Sequence, residues 1–510
     1  MSLDSHLLTN KRHIFLNASL SIIYNIVNAF SMFFVYRFLL ISLGIDLLGI
    51  WSLVLASTSF FSIANFGLSG SLVKFIPKYI ALSDNLKLSD TIQTVALSML
   101  GILFLILVPF YPISILILQK LIPANFFPLT QHILPFGVAS IFLMLMSGVF
   151  QSCLDGCGRI DLRNYLNIAG TLLHLLLVFL LVPYYGLIGA AYAKVLHNSF
   201  LLLSFFISAK IIFPFLPTFF IRWKKEIFRE IIGYGGSLQL ISIFHLFYDP
   251  ITKAFLSKYG SLAYVGYFEM ANKLFYQFHI LILSSYQVLV ASISYLYETA
   301  SDKLYNLYIL SVRIAFFVAL PLVSIIISSL YFISDIWLGH QEPLFIFFGS
   351  LLGIGYLLNI VAFPSYIYFM GIGILKWNVT GKLFIALFNT ILGFFLGFII
   401  GGNGVVIGWV LAMSIGSLIP LIAFHFSYNL SLKIILYRET IYNLCLLIII
   451  ISLNILGLFI FNINYIYFVN FLYILFISIL LIIINWHHPL RSTLINNLLK
   501  LLAPEISLSR

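Results

Sequence analysis

The sequence predicts an all-α membrane protein of about 14 transmembrane helices, built as two parallel six-helix bundles followed by two C-terminal helices. Three observations predict it. The 510 residues are 62% hydrophobic and 8% charged, with a mean hydropathy of +1.10, far from the ~45–50% apolar and ~25% charged residues of a soluble domain. Three glycine-containing motifs recur in the same order at nearly one spacing, the first with Gly44 and Gly260 an offset of 216 apart. The basic residues crowd into alternate loops.

A spanning helix needs about 20 mostly apolar residues. Breaks marked by Gly, Pro and charge leave fourteen such runs, approximately 14–41, 46–72, 92–118, 130–153, 164–183, 186–209, 231–257, 262–296, 306–332, 343–369, 376–400, 404–427, 440–461 and 465–485. They are too long and too uniformly apolar for barrel strands, which would alternate strictly over about ten residues. The first run follows MSLDSHLLTNKRH and lacks a small-residue cleavage site after a short core, so it is expected to stay in the mature protein. The second opens at LGIDLLGIW (Leu43 to Trp51) and leaves through NFGLSGSLVKFIPKY (Asn65 to Tyr79). DGCGR (Asp155 to Arg159) closes the fourth, and PYYGLIGAAYA (Pro183 to Ala193) leads from the fifth into the sixth. The longest polar stretch, around Phe213 to Glu230, is too short for a soluble domain.

The opening of the second span returns at the eighth as YGSLAYVGYF (Tyr259 to Phe268), pairing Gly44 with Gly260 and Gly49 with Gly266. DGCGR pairs with MGIGILK (Met370 to Lys376), and YGLIGAAYA (Tyr185 to Ala193) with NGVVIGWVLA (Asn403 to Ala412). Each pair alone is weak, because Gly is common in membrane helices; three in order indicate an internal duplication. Six helices per repeat is an even number, so both repeats enter the membrane in the same direction, related by an axis along its normal. The expected organisation is a bundle over 1–210, a basic linker over 211–230, a second bundle over 231–430, and two further helices with a tail over 431–510. A cleft at such a pseudo-axis, opened to either side by rocking, suggests a transporter.

Orientation follows the basic residues. With the N-terminus inside, Lys11, Arg12, Lys74, Lys78, Lys87, Arg159, Arg163, Lys210, Arg222, Lys224, Lys225, Arg229, Lys303, Lys376, Lys433, Arg438, Arg491, Lys500 and Arg510 fall in cytoplasmic segments, 19 of the 27. Only Lys120 and Lys258 fall outside. Both termini are therefore expected in the cytoplasm. The net charge of +11 does not point to nucleic acid, because its residues are spread over short loops rather than gathered on one face.

LGIDLLGIW, FFSIANFGLSGSLVKFIPKY, DGCGR and PYYGLIGAAYA together resemble the polysaccharide-exporter branch, the Wzx-type O-antigen flippases, of the MATE-like MOP flippase superfamily. The resemblance covers about residues 10 to 430 and rests on packing and turn motifs, which specify fold better than substrate. It departs at Asn65, where many members carry an acidic residue. It implies a MATE-like fold and a flippase that carries an undecaprenyl-pyrophosphate-linked oligosaccharide between the leaflets of a bacterial cytoplasmic membrane. It implies no cofactor, leaves H+ or Na+ coupling open, and makes other polysaccharide-assembly proteins candidate partners.

Charges inside spans cost about 2.5–3.5 kcal/mol each on insertion scales, so each is a candidate for function. Asp249 and Lys253 stand four apart in the seventh span, and Glu269 and Lys273 four apart in the eighth, a spacing that lets each acid pair with its base on one helix face. The bland alternative is that the pairs merely allow insertion. Arg37 and Lys253 stand at equivalent repeat positions and are expected to form a cationic pair for the pyrophosphate, or else to snorkel outward. Lys194 and Arg313 have no partner four residues away and divide between cavity lining and snorkelling; Lys382 is expected to snorkel to the headgroups. His174, His197, His245, His279 and His425 read first as packing residues, although a His can titrate in the useful range. Cys153, Cys157 and Cys445 read as small buried hydrophobes, with no ligand partner at metal spacing.

Two other readings compete. A MATE-type cation-coupled small-molecule exporter shares the twelve-helix core, but the mostly cationic set of intramembrane residues would repel organic cations. A membrane polysaccharide polymerase or ligase needs a sizeable external loop with catalytic residues, and the longest outside segment runs only from near Lys120 to Thr130. The chain has no phosphate-binding Gly-rich Lys motif, His-Glu metal motif or nucleophile elbow, so it is not expected to be an enzyme.

Overall fold

The computed structural model describes residues 11–59, 65, 67–232, 244, 248–287, 289, 293, 301–460, 467–486 and 488–491. The chain is an all-α membrane protein, and its described residues contain no strand. In order, the helices are α1 (Lys11–Leu43), α2 (Ile45–Ser59), α3 (Leu68–Ala81), α4 (Asn85–Leu121), α5 (Phe127–Gly156), α6 (Ile160–Ile212), α7 (Asp249–Tyr259) and α8 (Leu262–Gln287). They continue as α9 (Ser301–Ser328), α10 (Leu330–Leu338), α11 (Pro343–Gly371), α12 (Lys376–Ile400), α13 (Gly402–Ser427), α14 (Arg438–Ile460) and α15 (Tyr467–Trp486), with a short 3-10 turn at Leu432–Ile435. Among the described residues ten helices are long and apolar enough to cross a membrane.

Ten is fewer than the fourteen expected spans, and α8, although described over Leu262–Gln287, is not among them. Helix α6 has 53 residues, about 80 Å at 1.5 Å per residue and more than twice the ~30 Å of a bilayer core. It breaks at Gly186, whose backbone is non-helical (φ 55, ψ −134), so it holds the fifth and sixth spans on either side of PYYGLIG. Within the expected second span α2 and α3 are described, while 60–64 and 66 lie outside the described residues; Asn65 Oδ1 accepts from the Ser69 amide at 3.2 Å and the Ser69 hydroxyl at 2.9 Å, capping the start of α3. Parts of the expected seventh and eighth spans, 233–243 and 245–247 (with His245) in the one and 288, 290–292 and 294–296 in the other, lie outside the described residues.

The duplication is visible in the backbone. Gly158 and Gly373 both adopt the left-handed conformation, φ 78 and φ 80. The Arg159 amide donates to Leu154 O at 2.9 Å, and the Ile374 amide to Phe369 O at 3.0 Å. These are matching Schellman caps, which favour Gly at the left-handed position because it has no Cβ to clash.

Two compact units make up the chain, residues 1–269 with 393–405, and residues 270–392 with 406–510. The first has a core of Leu72, Ile76, Met99, Val149, Phe150 and Phe205, from α3, α4, α5 and the end of α6. In the second, α14 and α15 pack on α9, and Asn454 Nδ2 donates to Ile327 O at 2.7 Å while Tyr331 donates to Asn454 O at 2.9 Å. Outward faces stay apolar: Phe104, Leu105 and Val108 on α4 are 60%, 75% and 69% exposed, as expected of a surface that meets acyl chains.

Candidate functional site

In the first unit α2 and the start of α8 meet backbone to backbone. A Cβ at Gly49 would lie 2.2 Å from Leu262 O, and one at Gly266 would lie 2.8 Å from Ile45 O. Ile45 is four residues before Gly49, and Leu262 four before Gly266, so the two repeat-related segments make reciprocal contacts. Only glycine permits that approach.

Three residues past Gly266, Glu269 enters a buried cluster fed by three helices. Its Oε1 accepts from the Tyr36 hydroxyl of α1 at 2.7 Å, and its Oε2 lies 2.7 Å from Lys253 Nζ of α7. The same ammonium lies 2.6 Å from Asp249 Oδ2. Lys253 is 4% and Glu269 2% exposed; Asp249, with its side chain 39% exposed, is the open end of the cluster. The Asp249–Lys253 pair forms as its spacing predicts, whereas the tie from Glu269 to Lys253 joins two helices and has no local signature.

The other candidates stand in different surroundings. Arg37, next to Tyr36 on α1, is half-buried, and its Nη1 is buried with no hydrogen-bond partner. Its repeat equivalent, Lys253, is by contrast held between two carboxylates. Lys194 acts electrostatically on His174 and His197, whose rings lie 5.1 Å apart. Next to that pair, Asn198 Nδ2 donates to Ser140 O at 2.8 Å and Ser140 Oγ at 2.9 Å, fixing the second half of α6 to α5.

In the second unit Lys273 Nζ lies 5.9 Å from the Tyr276 ring centroid. Arg313 has a structural tie: Nε and Nη2 donate to Ile434 O at 3.1 and 2.6 Å, Nη1 donates to the Tyr437 hydroxyl at 2.7 Å, and the guanidinium stacks on that ring at 4.2 Å. It fastens α9 to the segment leading into α14. Lys382 lies 5.9 Å from the Tyr366 ring centroid and acts electrostatically on His279.

A polar row that the spacing arguments missed continues from there. His279 Nε2 is 2.7 Å from Asn359 Oδ1, Asn359 Nδ2 donates to Ser417 Oγ at 2.7 Å, and the Tyr356 hydroxyl donates to Asn272 Oδ1 at 2.7 Å. The available signal was Asn inside strongly apolar runs. His425 Nδ1 lies 3.3 Å from Leu430 O. Cys153 and Cys157 are buried, with thiols directed at Val149 O and Leu154 O, whereas Cys445, expected to be buried with them, is exposed on α14. Burial pushes the Cys157 thiol up to about 11, which leaves little thiolate to react.

No family model and no curated protein matches the chain. Solved structures do. The lipid II flippase MurJ in an inward closed conformation matches with a TM-score of 0.69 at 16% identity, covering 92% of this chain and 99% of that one. An inward-facing multidrug resistance MATE family transporter of the MOP superfamily matches with a TM-score of 0.65 at 16% identity, over 80% and 94%. A point mutant of the Vibrio cholerae MATE transporter VcmN matches with a TM-score of 0.53 at 14% identity, over 81% and 98%. The fold is that of MOP-superfamily transporters.

Proposed function

We propose that the chain is a flippase for an undecaprenyl-pyrophosphate-linked oligosaccharide, such as the repeat unit of an O-antigen or similar polysaccharide, and moves it across the bacterial cytoplasmic membrane by alternating access. The observation that carries this reading is the imbalance of intramembrane charge. Six bases, Arg37, Lys194, Lys253, Lys273, Arg313 and Lys382, stand against two acids, Asp249 and Glu269, and both acids sit on the Lys253 ammonium. An excess of half-buried cations within the spans, Lys253 alone being fully buried, suits a diphosphate, which charge-assisted hydrogen bonds can bind, and disfavours an organic cation. Arg37, with an unsatisfied buried nitrogen, is the residue in the first unit best prepared to take such a bond. The wide match to the lipid flippase also supports the reading. Coverage of 92% leaves too few residues unmatched to omit the whole segment from Arg438 onward, whereas the MATE transporter covers 80%.

The test is ligand-dependent thermal stabilisation of the purified protein in nanodiscs. Undecaprenyl-pyrophosphate carrying an oligosaccharide should raise Tm, undecaprenol should raise it less, and a lipophilic dye cation should have no effect. Stabilisation by the dye alone would favour the small-molecule exporter.

A further inference from the structure

The linker between the repeats is fastened along α4 by its backbone. Gln93 Oε1 accepts from the amides of Ile221 and Arg222 at 3.3 and 3.2 Å, Thr94 Oγ1 from the amide of Lys224 at 3.2 Å, and Ser98 Oγ from Trp223 Nε1 at 2.9 Å. Asp90, its side chain 4% exposed, lies 2.5 Å from Lys224 Nζ and 3.8 Å from Arg222 Nη1. Phe220 packs against the core of the first unit. The result is an alternation in which Phe220, Arg222 and Lys224 engage that unit while Phe219 and Ile221 remain 80% and 82% exposed; Trp223, 47% exposed, is held at one edge by its indole bond to Ser98.

The height of this row follows from α4. Thr94, Ser98, Gly101 and Leu105 are spaced four, three and four apart and so share one helix stripe. The linker binds the stripe at Thr94 and Ser98. Leu105, on the lipid-facing band, lies seven residues past Ser98, about 10 Å along the axis. The apolar row therefore lies about 10 Å along α4 from that exposed apolar band, a separation that suits the headgroup level, where aromatic side chains sit. Its surroundings are basic: Arg222 and Lys224 have side chains 65% and 51% exposed, and Lys225 and Arg229 are exposed. The linker's acids are Glu226 and Glu230, and Glu230 lies 3.4 Å from Lys78.

We propose that Phe219, Ile221 and Trp223 insert into the bilayer surface on the linker side while Arg222, Lys224, Lys225 and Arg229 bind anionic headgroups, so that the linker is a membrane anchor selective for anionic lipid. Apolar insertion combined with basic attraction is the usual basis of interfacial binding, and each base near an anionic surface adds to it. The charge of the row selects anionic lipid over a neutral surface.

Nitroxide labels test it. Cysteine is placed at Phe219, at Ile221 and, as an exposed control in the first turn of α4, at Lys87, in a background of Cys153→Ala, Cys157→Ala and Cys445→Ala, with the full chain in phosphatidylglycerol nanodiscs. Labels at 219 and 221 should be relaxed more by oxygen than by a nickel chelate, and the label at 87 more by nickel. Nickel-dominated relaxation at 219 and 221 overturns the proposal, and is the result expected if the row docks a soluble protein instead. Independently, Phe219→Asp with Ile221→Asp should abolish the rise in Tm that phosphatidylglycerol gives over phosphatidylcholine, leaving Tm in detergent at the parent value. An undiminished rise in the double variant also overturns it.

Discussion

Lys253→Met removes the ammonium that lies 2.6 Å from Asp249 and 2.7 Å from Glu269 and keeps most of the side-chain stem. Glu269, 2% exposed, retains the Tyr36 hydroxyl but loses its counter-charge inside a low-dielectric surround. Removing one partner of a buried ion pair typically costs about 3–5 kcal/mol. Asp249 is partly exposed and regains hydration, so the lower end, about 3 kcal/mol, is expected. Glu269→Gln is milder, because Lys253 still has Asp249; losing one charged hydrogen bond costs about 1.5–3 kcal/mol. The double variant no longer strands a buried carboxylate and should cost less than the sum of the singles, by about 1–3 kcal/mol. The assay is reversible SDS unfolding in mixed micelles, followed by tryptophan fluorescence. A Lys253→Met cost within about 0.5 kcal/mol of zero, the range of a neutral surface change, or strict additivity of the double variant, would refute the reasoning.

Gly49→Val and Gly266→Val should each lower the folded yield or stability, since the new Cβ would meet backbone oxygen at 2.2 and 2.8 Å; parent-like unfolding of both would contradict the close crossing. Arg313→Gln should cost about 2 kcal/mol in the same titration through its lost charged hydrogen bonds and expose the 432–437 segment to protease, while an unchanged cleavage pattern would count against the tie. Thiol labelling of the folded protein should leave Cys157 unmodified at pH 7.5, and labelling as fast as at an engineered loop cysteine would contradict its burial. Reporter fusions after Lys225 and after Arg510 should both read cytoplasmic, and a periplasmic signal at either would break the fourteen-span topology.

Much of the fold was legible because the bilayer simplifies the problem: long apolar runs must be helices, and glycine marks their breaks. Gly186 separates two spans inside one continuous run, and Gly158 and Gly373, paired from sequence alone, prove to be matching helix caps. Asp249 and Lys253 pair because four residues on a helix is a local distance. Glu269 was harder. Its contacts with Tyr36 and Lys253 depend on how α1, α7 and α8 meet, and no spacing along the chain encodes that geometry. Arg313 was opaque for the same reason, since a lone base in an apolar run does not reveal that a carbonyl 121 residues away accepts its hydrogen bonds. The linker's grip on α4 was likewise invisible, because Gln93, Thr94 and Ser98 meet partners 125 to 130 residues further along the chain and no local spacing encodes that.

The central claim is that this chain moves an anionic lipid-linked glycan between leaflets, and translocation itself is the most direct measurement. Proteoliposomes carrying undecaprenyl-pyrophosphate-oligosaccharide in the outer leaflet would be sampled with time by a membrane-impermeant glycosidase. The account predicts that a fraction of the lipid becomes protected only when the protein is present, and that Arg37→Gln slows this protection at equal protein level. Protection no faster than in protein-free vesicles, alongside active transport of a lipophilic cation by the same preparation, would contradict it.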